Sequence, residues 1–267
     1  MYSLHLRCTP GDVDLLSSEL WEEGTAGVRE VDLGESIQLV ATFESNQHRA
    51  SLLNRFALFE PAWEREEDID WVQFTKDSWP GRCIGQALFL APPWCADSTP
   101  GGRIRLVHNP GLACGTGDHP CTQMALEALE STVTPQLKVL DVGTGSGILA
   151  IAAKVLGARM AIGADTDGAA LCAARENFRL NELPATLIEG SAECVKDGVA
   201  DITVANISST VLLMILEDLI RATKPGGKLV LTGFAEAESA VFRSAVRCEQ
   251  VLSDGEWRCI VGRIPSC

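Results

Sequence analysis

Basic residues are scarce in this 267-residue chain: 22 Lys and Arg stand against 36 Asp and Glu, a formal charge of −14. Stable binding to phosphate backbones needs the opposite sign, so no stable nucleic-acid complex is expected. An acidic surface attracts cations instead, basic protein segments among them. Long apolar runs are missing too. None approaches the roughly 18 residues of a membrane-crossing helix, and the opening MYSLHLRCTP lacks the charged and apolar regions of a leader peptide. A soluble, cytoplasmic protein without membrane contact is expected. The ten cysteines form no C-x-x-C pair and have no His pair beside them, so no zinc or other metal site is expected. Cys172 and Cys259 lie in apolar surroundings, as small hydrophobes do. Free thiols in a reducing compartment follow.

What is present is ordinary for a globular protein: 46% hydrophobic and 22% charged residues, enough to bury a core. Residues 1–60 read as a small α+β unit. A strand over 2–7 precedes a helix opened by Thr9-Pro10-Gly11-Asp12 and closed at Gly24. Strands over 27–32 and 36–43 follow, then a helix near 47–58. Four arginines face ten acids in this unit and no catalytic constellation shows, so a structural or substrate-recognition role is expected. Residues 61–80, with Trp63, Trp71 and Trp79, read as a linker. The remaining 81–267 read as a second domain, with strands over 84–90 and 103–107 and a helix from Pro120.

From Lys138 onward, apolar strands alternate with helical segments of about 10–15 residues, the pattern of right-handed βαβ units. The last two strands, joined by Ser253-Asp254-Gly255, should form an antiparallel hairpin at one edge. The fold class expected is therefore α/β: a seven-stranded, doubly wound, mostly parallel and Rossmann-like sheet. Its ligand should sit beyond the strand C-termini.

Four segments carry the chemistry. In Val139-Leu140-Asp141-Val142-Gly143-Thr144-Gly145-Ser146-Gly147, a buried strand runs into a glycine turn and a helix. Gly143 and Gly145 allow close backbone approach to a ligand. A dinucleotide fingerprint would need its third glycine at position 148, which is Ile148. That disfavours a nicotinamide cofactor and favours S-adenosylmethionine. Asp165 ends the second strand, where a carboxylate can accept from both ribose hydroxyls; Asp167 suits the helix N-cap better. Ser191, after the third strand, lies where an adenine edge would pass or simply starts a helical turn. In the second segment, 110–122, glycines lead to a helix with His119 as N-cap, Pro120 at its first position and Thr122 in its first turn. That end can take an anion such as a methionyl carboxylate. Asn206 closes the fourth strand, Asp201-Ile202-Thr203-Val204-Ala205-Asn206-Ile207, at the chemical end of such a sheet or as a plain turn residue. The segment from Lys224 to Leu231 is architectural.

GLACGTGDHPCT, VLDVGTGSGILAIAAKVLGA, IGADTD, RENFRLN, DITVANI and KPGGKLVLTG, in that order, resemble the PrmA family of ribosomal protein methyltransferases over roughly residues 70–263. The resemblance implies a class I S-adenosylmethionine-dependent fold and methylation of lysine or α-amino nitrogens on a large-subunit protein at the base of the ribosomal stalk. It places donor contacts on Thr122, Gly143, Asp165 and Asn206. The chain departs from the family pattern at Cys114, Asp118 and Cys121, where Phe, Thr and Thr are usual, and at Thr144, where Cys is common. It departs again at Ser208-Ser209-Thr210 in place of Leu-Ala-Gly-Pro, and at Phe234-Ala235-Glu236 in place of an Ile-Leu pair. The donor side is expected intact and the acceptor side changed. Asn206 is expected to be catalytic, aiming the acceptor amine, while Asp118 either attracts a cationic lysine or caps the helix. Other readings on the same fold are a methyltransferase for another protein or a small molecule, and a donor-binding module without catalysis.

Overall fold

The computed structural model describes residues 1–34, 36–65, 79–109 and 117–266. The chain divides into two compact units, Met1–Thr75 and Lys76–Cys267.

In the first unit the elements are β1 (Tyr2–Cys8), α1 (Val13–Glu22), β2 (Gly27–Asp32), β3 (Ile37–Phe43), α2 (Arg49–Arg55) and β4 (Ala62–Arg65). The antiparallel sheet runs β2-β3-β1-β4, the βαββαβ arrangement of ferredoxin-like domains. Alternation along the strands puts Leu4 and Leu6 of β1 on the same face as Leu39, Ala41 and Phe43 of β3. Leu16 and Leu20 of α1 and Leu52 of α2 complete that core. The turn into α1 is held by Asp12, whose carboxylate accepts from the N–H and the hydroxyl of Thr9 at 3.2 and 2.6 Å. β4 pairs with β1 through Ala62–Arg65, so the sheet enters the stretch expected as linker. Trp63 makes it do so, stacking on Phe43 at 5.4 Å and Tyr2 at 6.0 Å. The rest of that stretch, residues 66–78 with Trp71, lies outside the described residues.

The second unit opens with three short strands, β5 (Arg82–Ile84), β6 (Leu88–Ala91) and β7 (Ile104–Val107), followed by α3 (Pro120–Thr132). One strand was expected over 84–90; the chain instead turns at Gly85, which has φ +50°. β5 and β6 therefore form an antiparallel hairpin. Glu130 of α3 holds the turn by accepting the Gln86 N–H at 2.8 Å. The remaining elements are β8 (Lys138–Val142), α4 (Ile148–Val155), β9 (Met160–Asp165), α5 (Gly168–Leu180), β10 (Leu187–Glu189), β11 (Ala200–Asn206), α6 (Ser209–Ala222), β12 (Thr223–Ala235), α7 (Ser239–Ala245), β13 (Arg247–Asp254) and β14 (Trp257–Arg263). They build a seven-stranded sheet in the order β10-β9-β8-β11-β12-β14-β13. β8 to β12 pair in parallel, and the β13–β14 hairpin joins the β12 edge in antiparallel sense.

The strands are apolar on both faces because both are covered. Val139, Val204 and Val230 meet α3, α4 and Phe178 of α5 on one side. Leu140, Ala205 and Leu231 meet Leu212 and Leu219 of α6 and Phe242 of α7 on the other. From β8 the chain winds outward through β9 and β10, then returns to β11 on the opposite side. The switch point thus falls between the C-terminal ends of β8 and β11, where an open sheet leaves a crevice.

Candidate functional site

A cavity of about 1120 Å³ opens at that switch point. Thr122, Gly143, Gly145, Asp165, Ser191 and Asn206 all line it, so the six residues chosen from separate sequence segments meet at one place.

The glycine turn after β8 is clipped to its neighbour: the N–H groups of Gly143 and Thr144 both donate to the Ala164 carbonyl, at 2.9 and 3.0 Å. Gly143 and Gly145 have φ +70° and +52°, a region that side chains disfavour. A Cβ on Gly143 would also lie 2.3 Å from Ile207 Cγ2, so glycine lets the loops after β8 and β11 close on each other. Beneath the turn, Asp141 Oδ2 accepts the Thr144 hydroxyl at 2.6 Å and the Ala150 N–H at 3.1 Å. Burial pushes this carboxyl up to about 7 despite those two hydrogen bonds. Its Oδ1 has no hydrogen-bond partner among the described residues.

Asp165 ends β9 with both oxygens fixed: Oδ2 accepts the Gly145 N–H at 2.8 Å and Oδ1 the Asp167 N–H at 3.0 Å. Each oxygen keeps further acceptor capacity toward the cavity. Asp167 caps α5 as expected, its Oδ1 accepting the Ala169 N–H at 2.8 Å. Ser191 follows Gly190, whose N–H donates to the Asp165 carbonyl at 2.9 Å, which draws the loop after β10 toward β9.

On the opposite wall, His119 caps α3 through Nδ1, which accepts the Cys121 N–H at 3.2 Å, and Pro120 takes the first helical position. Asn206 Nδ2 donates to Thr122 Oγ1 at 3.1 Å, joining positions 84 residues apart. With its nitrogen committed, Asn206 offers Oδ1 as an acceptor, and the Thr122 hydroxyl keeps its proton to donate. Asp118 neither caps the helix nor stands alone: Arg82 forms an ion pair with it and lies over the Trp79 ring at 5.8 Å. Cys114 and the rest of 110–116 lie outside the described residues.

Trp257 also lines the cavity, and the sequence did not single it out. As the first residue of β14 it meets His119 edge-on, with ring centroids 4.7 Å apart and planes at 69°. The adjacent strand hairpin was legible, but not that its register brings this ring to α3. Ile207 and Val211 add apolar wall beside Asn206.

Residues 11–265 match the family described as ribosomal protein L11 methyltransferase (PrmA). The chain belongs to this family. Ribosomal protein L11 methyltransferases of Clostridium botulinum and Burkholderia lata are 35% and 38% identical to it over 207 and 200 residues, 75% and 73% of this chain. The match spans 66% of each relative's own length, just under two thirds. The crystal structure of ribosomal protein L11 methylase from Lactobacillus delbrueckii subsp. bulgaricus is similar with a TM-score of 0.65 at 29% identity, covering 70% of this chain and 100% of that one. In this PrmA-family chain Thr144 uses its hydroxyl to hold Asp141. Among the described residues no helix is long and apolar enough to cross a membrane, and no cluster of His, Cys, Asp and Glu is arranged to hold a metal ion.

Proposed function

We propose that this PrmA-family chain transfers methyl groups from S-adenosylmethionine to lysine or α-amino nitrogens of a ribosomal large-subunit protein, in the cytoplasm. The observation that carries the reading is the Asn206–Thr122 hydrogen bond at the wall of a cavity that also holds the glycine turn and Asp165. The cavity fits the donor: its lining includes the Gly143 and Gly145 backbone and an oriented carboxylate at Asp165 with spare acceptor capacity. When bound, the donor supplies a methyl group on a positively charged sulfur.

The chain's residues then have separable tasks. Asp165 would accept from the donor's ribose hydroxyls, Ser191 would border its adenine, and Thr122 would donate to its carboxylate at the α3 N-terminus. Asn206 Oδ1 accepts an N–H of the incoming amine and aims its lone pair. A lysine amine must be neutral to react; at pH 7 that costs about 4.6 kcal/mol, from a pKa near 10.4 and ~1.36 kcal/mol per unit. The apolar wall at Ile207, Val211 and Trp257 lowers that cost by disfavouring the charged amine. An α-amino group, with a pKa near 8, costs less than half as much. Alignment of nitrogen, methyl and sulfur supplies the larger share, about 7–11 kcal/mol in well-oriented systems. The acidic first unit, with its ten acids up to Glu60, is the domain proposed to recognise the basic acceptor.

The test is incubation with methyl-labelled donor and ribosomal proteins, the label then located by mass spectrometry. Label on amines of a large-subunit protein is expected. Label on nucleic acid alone, or on a small molecule alone, overturns the acceptor; donor binding without transfer to anything leaves a binding module and overturns the enzyme.

A further inference from the structure

Two loops at the C-terminal edge of the large sheet, after β11 and after β12, are tied to each other. Ser209, within Ser208-Ser209-Thr210, donates its hydroxyl to Glu238 Oε1, and Glu238 Oε2 accepts the Ala235 N–H at 3.0 Å. Ala235 is the last residue of β12. One carboxylate therefore bridges the start of α6 and the end of β12.

Both bridged loops form cavity wall: Asn206, Ile207 and Ser208 on one, Gly233 on the other. They are already close. The Ile207 N–H donates to the Thr232 carbonyl at 3.3 Å, and a Cβ on Gly233, at φ +101°, would lie 2.1 Å from the Ile207 carbonyl oxygen. Glu236, two residues earlier in the same 3-10 turn (Glu236–Glu238), reaches the other way. Its Oε2 accepts from Arg258 Nε at 2.6 Å and from Arg243 Nη2 at 3.0 Å, while its own N–H donates to the Glu256 carbonyl at 2.9 Å. Residues 256 and 258 flank Trp257. The turn thus grips the residues next to two lining residues, Ser209 beside Ser208 through Glu238 and Glu256 and Arg258 beside Trp257 through Glu236, without lining the cavity itself.

We propose that Glu238 is a positioning residue that acts through Ser209 to fix Asn206 and Ser208 against Gly233, and so sets the acceptor side of the cavity. The proposal rests on the methyl-transfer reading for its functional consequence, though not for its geometry. The Ser209 hydroxyl and the Ala235 N–H hold the Glu238 carboxyl below its usual range, so the clasp is ionised wherever the protein is folded near neutrality. Because the pair is exposed, it adds little to global stability. Its effect lies in placement, to which transfer is sensitive.

The experiment compares the full chain with Ser209→Ala, Glu238→Ala, the double variant and Ser209→Thr. Acceptor kcat/KM is expected to fall about fivefold in either alanine variant, with no further fall in the double variant and recovery in Ser209→Thr. Donor affinity and melting temperature should stay close to wild type. Additive losses, or wild-type kinetics in the single variants, overturn the clasp. Amide exchange provides an independent readout, since the Leu212 N–H donates to the Ser208 carbonyl at 2.9 Å in the first turn of α6. Faster exchange at Leu212 in Glu238→Ala supports the clasp and unchanged exchange overturns it. If the wild type transfers no methyl, the functional reading fails and exchange alone decides the clasp.

Discussion

Asp165 spends part of each oxygen on loop amides, which fixes its orientation before any ligand arrives. Charge-assisted hydrogen bonds to a bound ribose contribute roughly 1.5–3 kcal/mol each. Asp165→Ala should therefore weaken adenosylhomocysteine binding by about two to four orders of magnitude for two such bonds, on the order of tenfold per ~1.4 kcal/mol; titration calorimetry showing wild-type affinity would remove Asp165 from the donor site. Asn206→Ala should act differently. It deletes the group proposed to aim the amine while leaving the glycine turn, so turnover is expected to fall about a hundredfold with donor affinity kept within about threefold. Equal losses in both would make Asn206 a donor contact only. These residues were legible because each stands at a strand end or helix start with a local pattern of its own. Trp257 was not: it opens a strand that follows α3 by more than a hundred residues, and only the β12-β14-β13 order carries it to His119.

At the level of elements, the strand–turn–helix from β8 to α4 contains a buried carboxyl. Asp141 is raised to about 7 by burial, so the folded state holds its proton more tightly than the unfolded chain, whose Asp titrates near 3.9. The stability this contributes is present below the unfolded value and is lost as pH rises through about 7. Asp141→Asn keeps an acceptor for the Thr144 hydroxyl and the Ala150 N–H but cannot ionise. Melting temperatures should fall from about pH 5 to 8 in the wild type more steeply than in Asp141→Asn; parallel curves would contradict the burial account. Gly143→Ala combines the φ +70° backbone with the approach to Ile207, and thermal melts should show it destabilised, with donor binding lost alongside.

Element types in the large sheet were readable because parallel strands covered on both faces are continuous apolar runs. The errors came where tertiary contacts overrode a local pattern. Gly85 reads as a residue inside a strand until Glu130 captures the turn beside it. Ala62–Arg65 reads as linker until Trp63 docks on Phe43.

Across the whole molecule, the −14 charge bears on which acceptor the chain attracts. Long-range attraction between an acidic protein and a basic one is screened over about 10 Å at 0.1 M salt, so the acceptor KM should rise with ionic strength. Donor affinity, set by short contacts inside the cavity, should hardly move. A salt-independent acceptor KM would detach the charge from recognition.

A crystal structure of the protein with adenosylhomocysteine tests most directly whether chain segments distant in sequence form one adenosyl-binding crevice. The ribose hydroxyls are expected on Asp165, the carboxylate at Thr122 and the sulfur facing Asn206. A ligand bound elsewhere, or a crevice closed by the protein's own side chains at saturating ligand, would contradict that placement.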